Sequence, residues 1–308
     1  VRNEALWEHS RHWLNLRPVY ALGRWLLENL PLPAAYAITW GTAAVAWRAS
    51  PQIRKAIESN VRHVLSRTAP GLDEAGRARR ARSIARQVFI NRGTWFADLS
   101  VLAGCRAMDG LFRFEASGAW PRLQEALASG RGALLASAHL GNWHGGGVMV
   151  ARRGLPVRSV LYRNHAADFM DRDVARRGGV RQTFVDPDPF SMMEIIRALR
   201  KGELVAVLAD KPWDSRAIEA PFFGLPARFP LGPFRIARLA EVPIFPAFCI
   251  PERPRRYRAV LCDPIEVAGP DPLAAEQAAA ARFARVLEDF VAPNLHVWFN
   301  FTPVWERP

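Results

Sequence analysis

From about residue 110 onward, short apolar runs of five to seven residues alternate with longer stretches that carry apolar positions at spacings of three and four. No other feature constrains the fold as much. A strand, a crossover helix and a second strand build a parallel sheet with helices packed on its faces. The pattern predicts strands over 133–137, 157–162, 181–185, 204–209, 244–250 and 257–262. Helices are expected over 143–153, 166–177, 191–201, 232–240 and 271–291, and a loop around Pro221-Phe222-Phe223-Gly224. Upstream the period is helical throughout, with helices over 51–65 and 73–102. In the second of these Ile84, Val88, Phe89, Trp95 and Phe96 form the apolar positions, and Asp73 is placed as an N-cap. The expected architecture is α/β: a mostly parallel central sheet flanked by helices, with a helical N-terminal region. Residues 1–105 form that region and 106–308 the α/β core, in one continuous domain.

Half of the 308 residues are hydrophobic, which excludes disorder as the main state. Cys105, Cys249 and Cys262 are too few and too scattered for a disulfide scaffold or a zinc site, as in a reducing compartment. The formal net charge is +13, and of 42 basic residues only Lys55, Lys201 and Lys211 are lysine. The other 39 are arginine, whose planar fork of donors suits phosphate and carboxylate. An anionic partner follows: nucleic acid, an anionic membrane or an acidic carrier protein. An arginine-rich, alanine-rich composition can also reflect a GC-rich genome. Arg77, Arg79, Arg80, Arg82 and Arg86 crowd the first half of the 73–102 helix, a pattern typical of a solvated face. No zinc finger, aromatic RNA-binding motif or helix-turn-helix pattern supports nucleic acid.

Residues 29–47 carry no charge. Pro31 and Pro33 confine a helix here to about 15 residues, or ~22 Å. That is short of the ~30 Å hydrocarbon core of a bilayer. Trp25, Tyr36, Trp40 and Trp47 suit an interface between apolar and aqueous media. The segment reads as a membrane-dipping or buried helix rather than a span. No secretory cleavage pattern is present, so a signal peptide is not expected.

In sheets of this kind, sites form at the carboxyl ends of strands, here just after Ser137, Tyr162 and Ala209. The first of these positions opens Ala138-His139-Leu140-Gly141-Asn142-Trp143-His144-Gly145-Gly146-Gly147. A histidine leaving a buried strand into a Gly-Asn turn sits where a general base is placed. A metal-hydrolase reading has less support. His139 and His144 are five positions apart, not the four of His-Glu-x-x-His, and a third ligand would have to come from His165, Asp168 or Asp210.

His139-Leu-Gly-Asn-Trp143 resembles the signature of the bacterial lipid A biosynthesis acyltransferases, in the lysophospholipid acyltransferase superfamily: a histidine, four residues, then Glu or Asp. Four further blocks are similar to the family in order. They are Val160-Leu-Tyr-Arg163; Leu208-Ala-Asp210 with Ala220-Pro-Phe-Phe-Gly-Leu-Pro-Ala227; Leu231-Gly-Pro with Val242-Pro-Ile-Phe-Pro246; and Val297-Trp-Phe through Trp305. The resemblance implies a glycerol-phosphate acyltransferase-like fold at the cytoplasmic face of the bacterial inner membrane. It implies transfer of a fatty acyl chain from acyl carrier protein or coenzyme A to a hydroxyl of a membrane lipid, a lipid A-type acceptor above all. No metal or resident cofactor takes part, and nucleic acid drops out as a partner. His139 would be the base, Asn142 and Arg163 would contact substrate, and Phe222, Phe223 and Gly224 would shape an acyl groove.

The chain departs from the signature at one place. The family's acid falls at position 144, where this sequence has His144. Three consequences are open. Asp210, at the end of another strand, supplies the carboxylate; His144 itself acts as base or oxyanion donor; or the protein is a catalytically weakened relative that binds lipid or acyl carrier protein. The intact surrounding blocks favour a working enzyme.

Overall fold

The computed structural model describes residues 17–102, 110–116, 118–162, 168–185, 189–212 and 216–305. Four helices come first: α1 (Arg17–Asn29), α2 (Leu32–Ala49), α3 (Pro51–Thr68) and α4 (Glu74–Leu102). Then follow β1 (Phe112–Glu115), α5 (Ala119–Ala128), β2 (Ala133–Ser137), α6 (Trp143–Arg152), β3 (Val157–Tyr162), α7 (Asp168–Gly178), β4 (Arg181–Val185), α8 (Pro189–Arg200) and β5 (Leu204–Leu208). The chain continues through β6 (Ala217–Phe222), β7 (Leu225–Pro230), α9 (Leu231–Ala240), β8 (Ile244–Arg253), β9 (Arg256–Leu261) and α10 (Pro272–Val291). A 3-10 turn, Ala292–Val297, leads to the C-terminal segment.

Seven strands form one sheet in the order β1-β9-β8-β2-β5-β3-β4. Every pairing in it is parallel except β8 with β9. This is the α/β fold expected from the alternation. β2 lies in the middle with β5 and β8 on its two sides, and its Ala-Leu-Leu-Ala stretch is buried, as a strand covered on both faces requires. The helices begin where their caps place them. Asp73 Oδ1 accepts from the Gly76 amide at 2.7 Å, and Asp271 Oδ1 from Leu273 at 2.9 Å, ahead of Pro272 in the first turn. Ala43, Val61, Val88 and Trp95 of the N-terminal helices share one buried cluster with Leu134, Val207, Phe234 and Phe283 of the α/β region. Arg79, Arg80, Arg82 and Arg86 are exposed, as a solvated face.

Two local expectations change. β1 and α5 occupy 112–128, where the sequence pattern predicted no element. β1 is a four-residue edge strand paired only with β9, too short for a clear alternation. The Pro221–Gly224 segment is not a loop. β6 and β7 pair antiparallel, and Phe223 (φ 48°) and Gly224 (φ 77°) form the two-residue turn between them. Pro221 and Pro226 are opposite each other in this two-stranded ribbon, whose outer edges demand no further ladder bonds.

The charge-free segment forms α2. Ala35, Tyr36, Thr39 and Ala43 are buried, while Ile38, Trp40 and Val45 are exposed. The helices α2 and α4 meet at Gly93, where a Cβ would stand 2.7 Å from the Thr39 carbonyl oxygen. Among the described residues no helix is long and apolar enough to cross a membrane. One face of α2 is therefore core, and the other is open.

Candidate active site

Sheet register builds the site. Ser137 at the end of β2 pairs with Leu208 at the end of β5, so the residues two further on face each other. They are His139 and Asp210. Asp210 Oδ1 lies 2.9 Å from His139 Nδ1, and Asp210 Oδ2 accepts the His139 backbone N–H at 2.9 Å. An ionised carboxylate only accepts, so Nδ1 carries the hydrogen and Nε2 is left with the lone pair. The Asp210 side chain is 2% exposed and that of His139 18%. Burial pushes the Asp210 carboxyl up, but the His139 charge and the two hydrogen bonds outweigh it and hold the group below its ordinary value. Burial lowers the neighbouring Lys211 ammonium.

The loop after His139 is held by its backbone. The Phe299 N–H donates to the His139 carbonyl at 2.7 Å, Gly141 N–H to Val297 at 2.9 Å, and Asn142 N–H to Cys249 at 2.7 Å. The Trp-rich C-terminal segment and β8 thus clamp the motif from two sides. Gly141 sits at φ 64°, and a Cβ there would stand 2.1 Å from the Cys249 carbonyl oxygen. No other residue fits. Asn142 caps α6 through Oδ1 to the Gly145 N–H at 2.9 Å. Its Oδ1 is taken by the cap, while its Nδ2 is buried with no partner among the described residues.

A part-buried histidine oriented by a buried carboxylate stands at the carboxyl end of a central strand, and the carboxylate comes from Asp210 rather than from position 144. The family model for bacterial lipid A biosynthesis acyltransferases matches residues 4–307. The chain belongs to that family. Two curated relatives are phosphatidylinositol mannoside acyltransferases. The protein of Mycobacterium tuberculosis H37Rv is 27% identical over 193 residues, 61% of this chain and 59% of the relative. That of Mycolicibacterium smegmatis is 27% identical over 188 residues, 59% of this chain and 60% of the relative. The matched part is thus about three-fifths of these relatives' length.

In this member of the lipid A acyltransferase family, His144 has a carboxylate of its own. Its Nε2 lies 2.9 Å from Asp171 Oδ1 on α7. Trp143 stands between the two histidines, its ring 5.4 Å from that of His139 and 5.3 Å from that of His144. Trp95 of α4 stacks on Trp143 at 5.2 Å. The two imidazoles are thus committed to different carboxylates. Phe222 and Phe223 are buried with Trp305, and Phe222 stacks on it at 5.7 Å. A groove lined by these rings requires that cluster to open. Arg163 and His165 lie outside the described residues.

Sequence reasoning did not single out Asp171 or Arg92. Asp171 lies in a charged stretch, Asp168 to Asp173, that looks like any solvated helix face. Arg92 carried a readable signal: it is three residues from both Phe89 and Trp95, on the apolar stripe of α4. A cavity of about 250 Å³ adjoins the motif loop, lined by Tyr36, Trp40, Trp95, Asn142, Tyr257 and Phe299 among others.

Proposed function

We propose that the protein is an O-acyltransferase in which His139 and Asp210 act as a base-and-orienter pair. The observation that carries this reading is the 2.9 Å contact of His139 Nδ1 with the buried Asp210, which fixes the tautomer with the lone pair on Nε2. An alcohol attacks a thioester poorly until its proton is removed. His139 Nε2 takes that proton as the hydroxyl oxygen bonds to the thioester carbonyl carbon. The oxyanion that forms collapses, the C–S bond breaks, and the thiolate leaves with the proton from His139. The products are an ester and a free thiol carrier. Asp210 steadies the imidazolium, the role the missing acid at position 144 would otherwise fill.

The donor is an acyl thioester of acyl carrier protein or coenzyme A. The acceptor is a hydroxyl of a sugar-bearing membrane lipid. Both the family description and the names of the mycobacterial relatives point to such lipids, and a lipid A-type acceptor is the first to test. The protein works at the cytoplasmic face of the inner membrane.

The test is turnover of purified protein with both donor types and a panel of glycolipid acceptors. His139→Ala and Asp210→Asn should each cut the rate by ~10³ to ~10⁴. Absence of transfer for every pair, together with an unchanged lipid profile in a deletion strain, overturns the reading. A marked gain in His144→Glu would identify a weakened enzyme instead.

A further inference from the structure

Three polar groups around the Trp95–Trp143 stack have hydrogen-bonding capacity that no described residue fills. The Arg92 guanidinium lies over the Trp95 ring, with Cζ 3.7 Å from its centroid and 5.9 Å from that of Phe299. Burial pulls this guanidinium down to about 10, against the field of Asp171. Among the described residues no oxygen accepts a hydrogen bond from it. Trp95 Nε1 and His144 Nδ1 are buried and without a partner, while Arg92 beside them is only partly buried. The His144 ring lies 5.5 Å from that of Trp95.

Buried polar groups in folded proteins are nearly always hydrogen-bonded. Unfilled ones gathered beside a reactive histidine mark where a ligand's oxygens complete them. The chemistry selects an anion. A guanidinium presents a fork that matches phosphate oxygens, and stacking on an indole pre-orients it. His144 is the second residue of α6, where the helix dipole favours negative charge. The charge of Asp171 is answered by its hydrogen bond to His144 Nε2. An acid at position 144, as in the family signature, would repel an anion here. The imidazole of this chain does not.

We propose that Arg92 and His144, with Asp171 as a positioning residue for the imidazole, form a subsite that binds a phosphate of one of the two substrates beside His139. The inference rests on the acyltransferase reading for its biological use but not for its test. Phosphate occurs both in the phosphopantetheine arm of the donor and in the headgroup of a phospholipid acceptor. Two probe pairs separate these sources: 4′-phosphopantetheine against pantetheine, and glycerophosphoinositol against myo-inositol. Binding is followed by tryptophan fluorescence on the full chain in its His139→Ala form, so that turnover is irrelevant.

In at least one pair the phosphorylated member should bind about tenfold tighter or more, as one charge-assisted hydrogen bond implies. Arg92→Gln and, separately, His144→Gln should reduce that preference to less than about threefold and leave the unphosphorylated partner unchanged. The pair that responds names the source. If neither pair shows a phosphate preference, or if the preference survives in both variants, the subsite does not exist. Should Arg92→Gln fail to fold, His144→Gln and the parent chain still decide. Loss of transfer in His139→Ala with retained phosphate preference would separate the two readings.

Discussion

At the scale of single residues, the site depends on a carboxylate that reaches its histidine from another strand. Asp210 is buried, yet the charge and hydrogen bonds of His139 keep it below its usual value of 3.8. Its effect on stability therefore has a definite sign. As pH falls, the unfolded chain takes a proton at Asp210 before the native chain does, so the unfolded state gains. The contribution is complete above about pH 4 and drains away as pH falls through the native value. Melting temperature measured from about pH 5 to about pH 2 should fall more steeply in the parent protein than in Asp210→Asn. In His139→Ala the imidazole's charge and hydrogen bond are lost while the backbone N–H of residue 139 still donates, so the acid-induced fall should be shallower than in the parent. An equal slope in parent and Asp210→Asn would show that the carboxyl is not held ionised by His139.

At the scale of elements, a buried carboxylate also joins the helical N-terminal region to the sheet. Asp98 of α4 is 3% exposed. It accepts from Tyr36 of α2 at 2.5 Å and from Tyr257 of β9. Burial raises the Asp98 carboxyl, and the two phenols together with Arg255 pull it back. Asp98→Ala would leave two buried hydroxyls without an acceptor, at a cost of about 3 kcal/mol. Asp98→Asn, which keeps an acceptor oxygen, should cost less than half of that. Urea denaturation of the two variants gives the comparison. Equal losses would show that volume, not hydrogen bonding, sets the value of the clamp. The clamp also explains why α2 is half core: Tyr36 and Thr39 face α4, and the close approach at Gly93 leaves no room for an alternative rotation.

At the scale of the whole molecule, both α1 and α2 carry exposed apolar side chains. Leu22 and Trp25 of α1 and Ile38, Trp40 and Val45 of α2 are large, apolar and exposed. Many arginines are matched within the fold, such as Arg235 and Arg238 on the buried Glu276, and Arg158 on Glu194 and Glu203. The excess charge of +13 remains for partners. An apolar face on a basic molecule should seat on anionic vesicles and weaken with salt. Trp25→Glu with Val45→Glu should lower vesicle binding by about tenfold or more and leave the melting temperature within about 2 °C. Cosedimentation over a salt series measures it. Binding that ignores these substitutions would place the contact elsewhere.

The alternation of strand and helix was legible because its cause is local. A strand buried on both faces must be apolar, and a crossover helix must carry a stripe, so 133–137 was readable to the residue. The hairpin around Phe223-Gly224 was not, because prolines argue against strands except where an edge is free, and edges are a tertiary property. His139 was legible for a related reason: it leaves a central strand into a turn. Its partner is 71 residues away and became the right one only through the pairing of Ser137 with Leu208. The same holds for Asp171, which looks like an ordinary surface charge until α6 and α7 bring it against His144. Sequence alone determined the layers, the family and the position of the proposed base, since these follow from periodicity and from contiguous residues. The charges around that base were decided only by the tertiary structure, because an electrostatic partner is chosen by distance in space and the chain order carries no record of it.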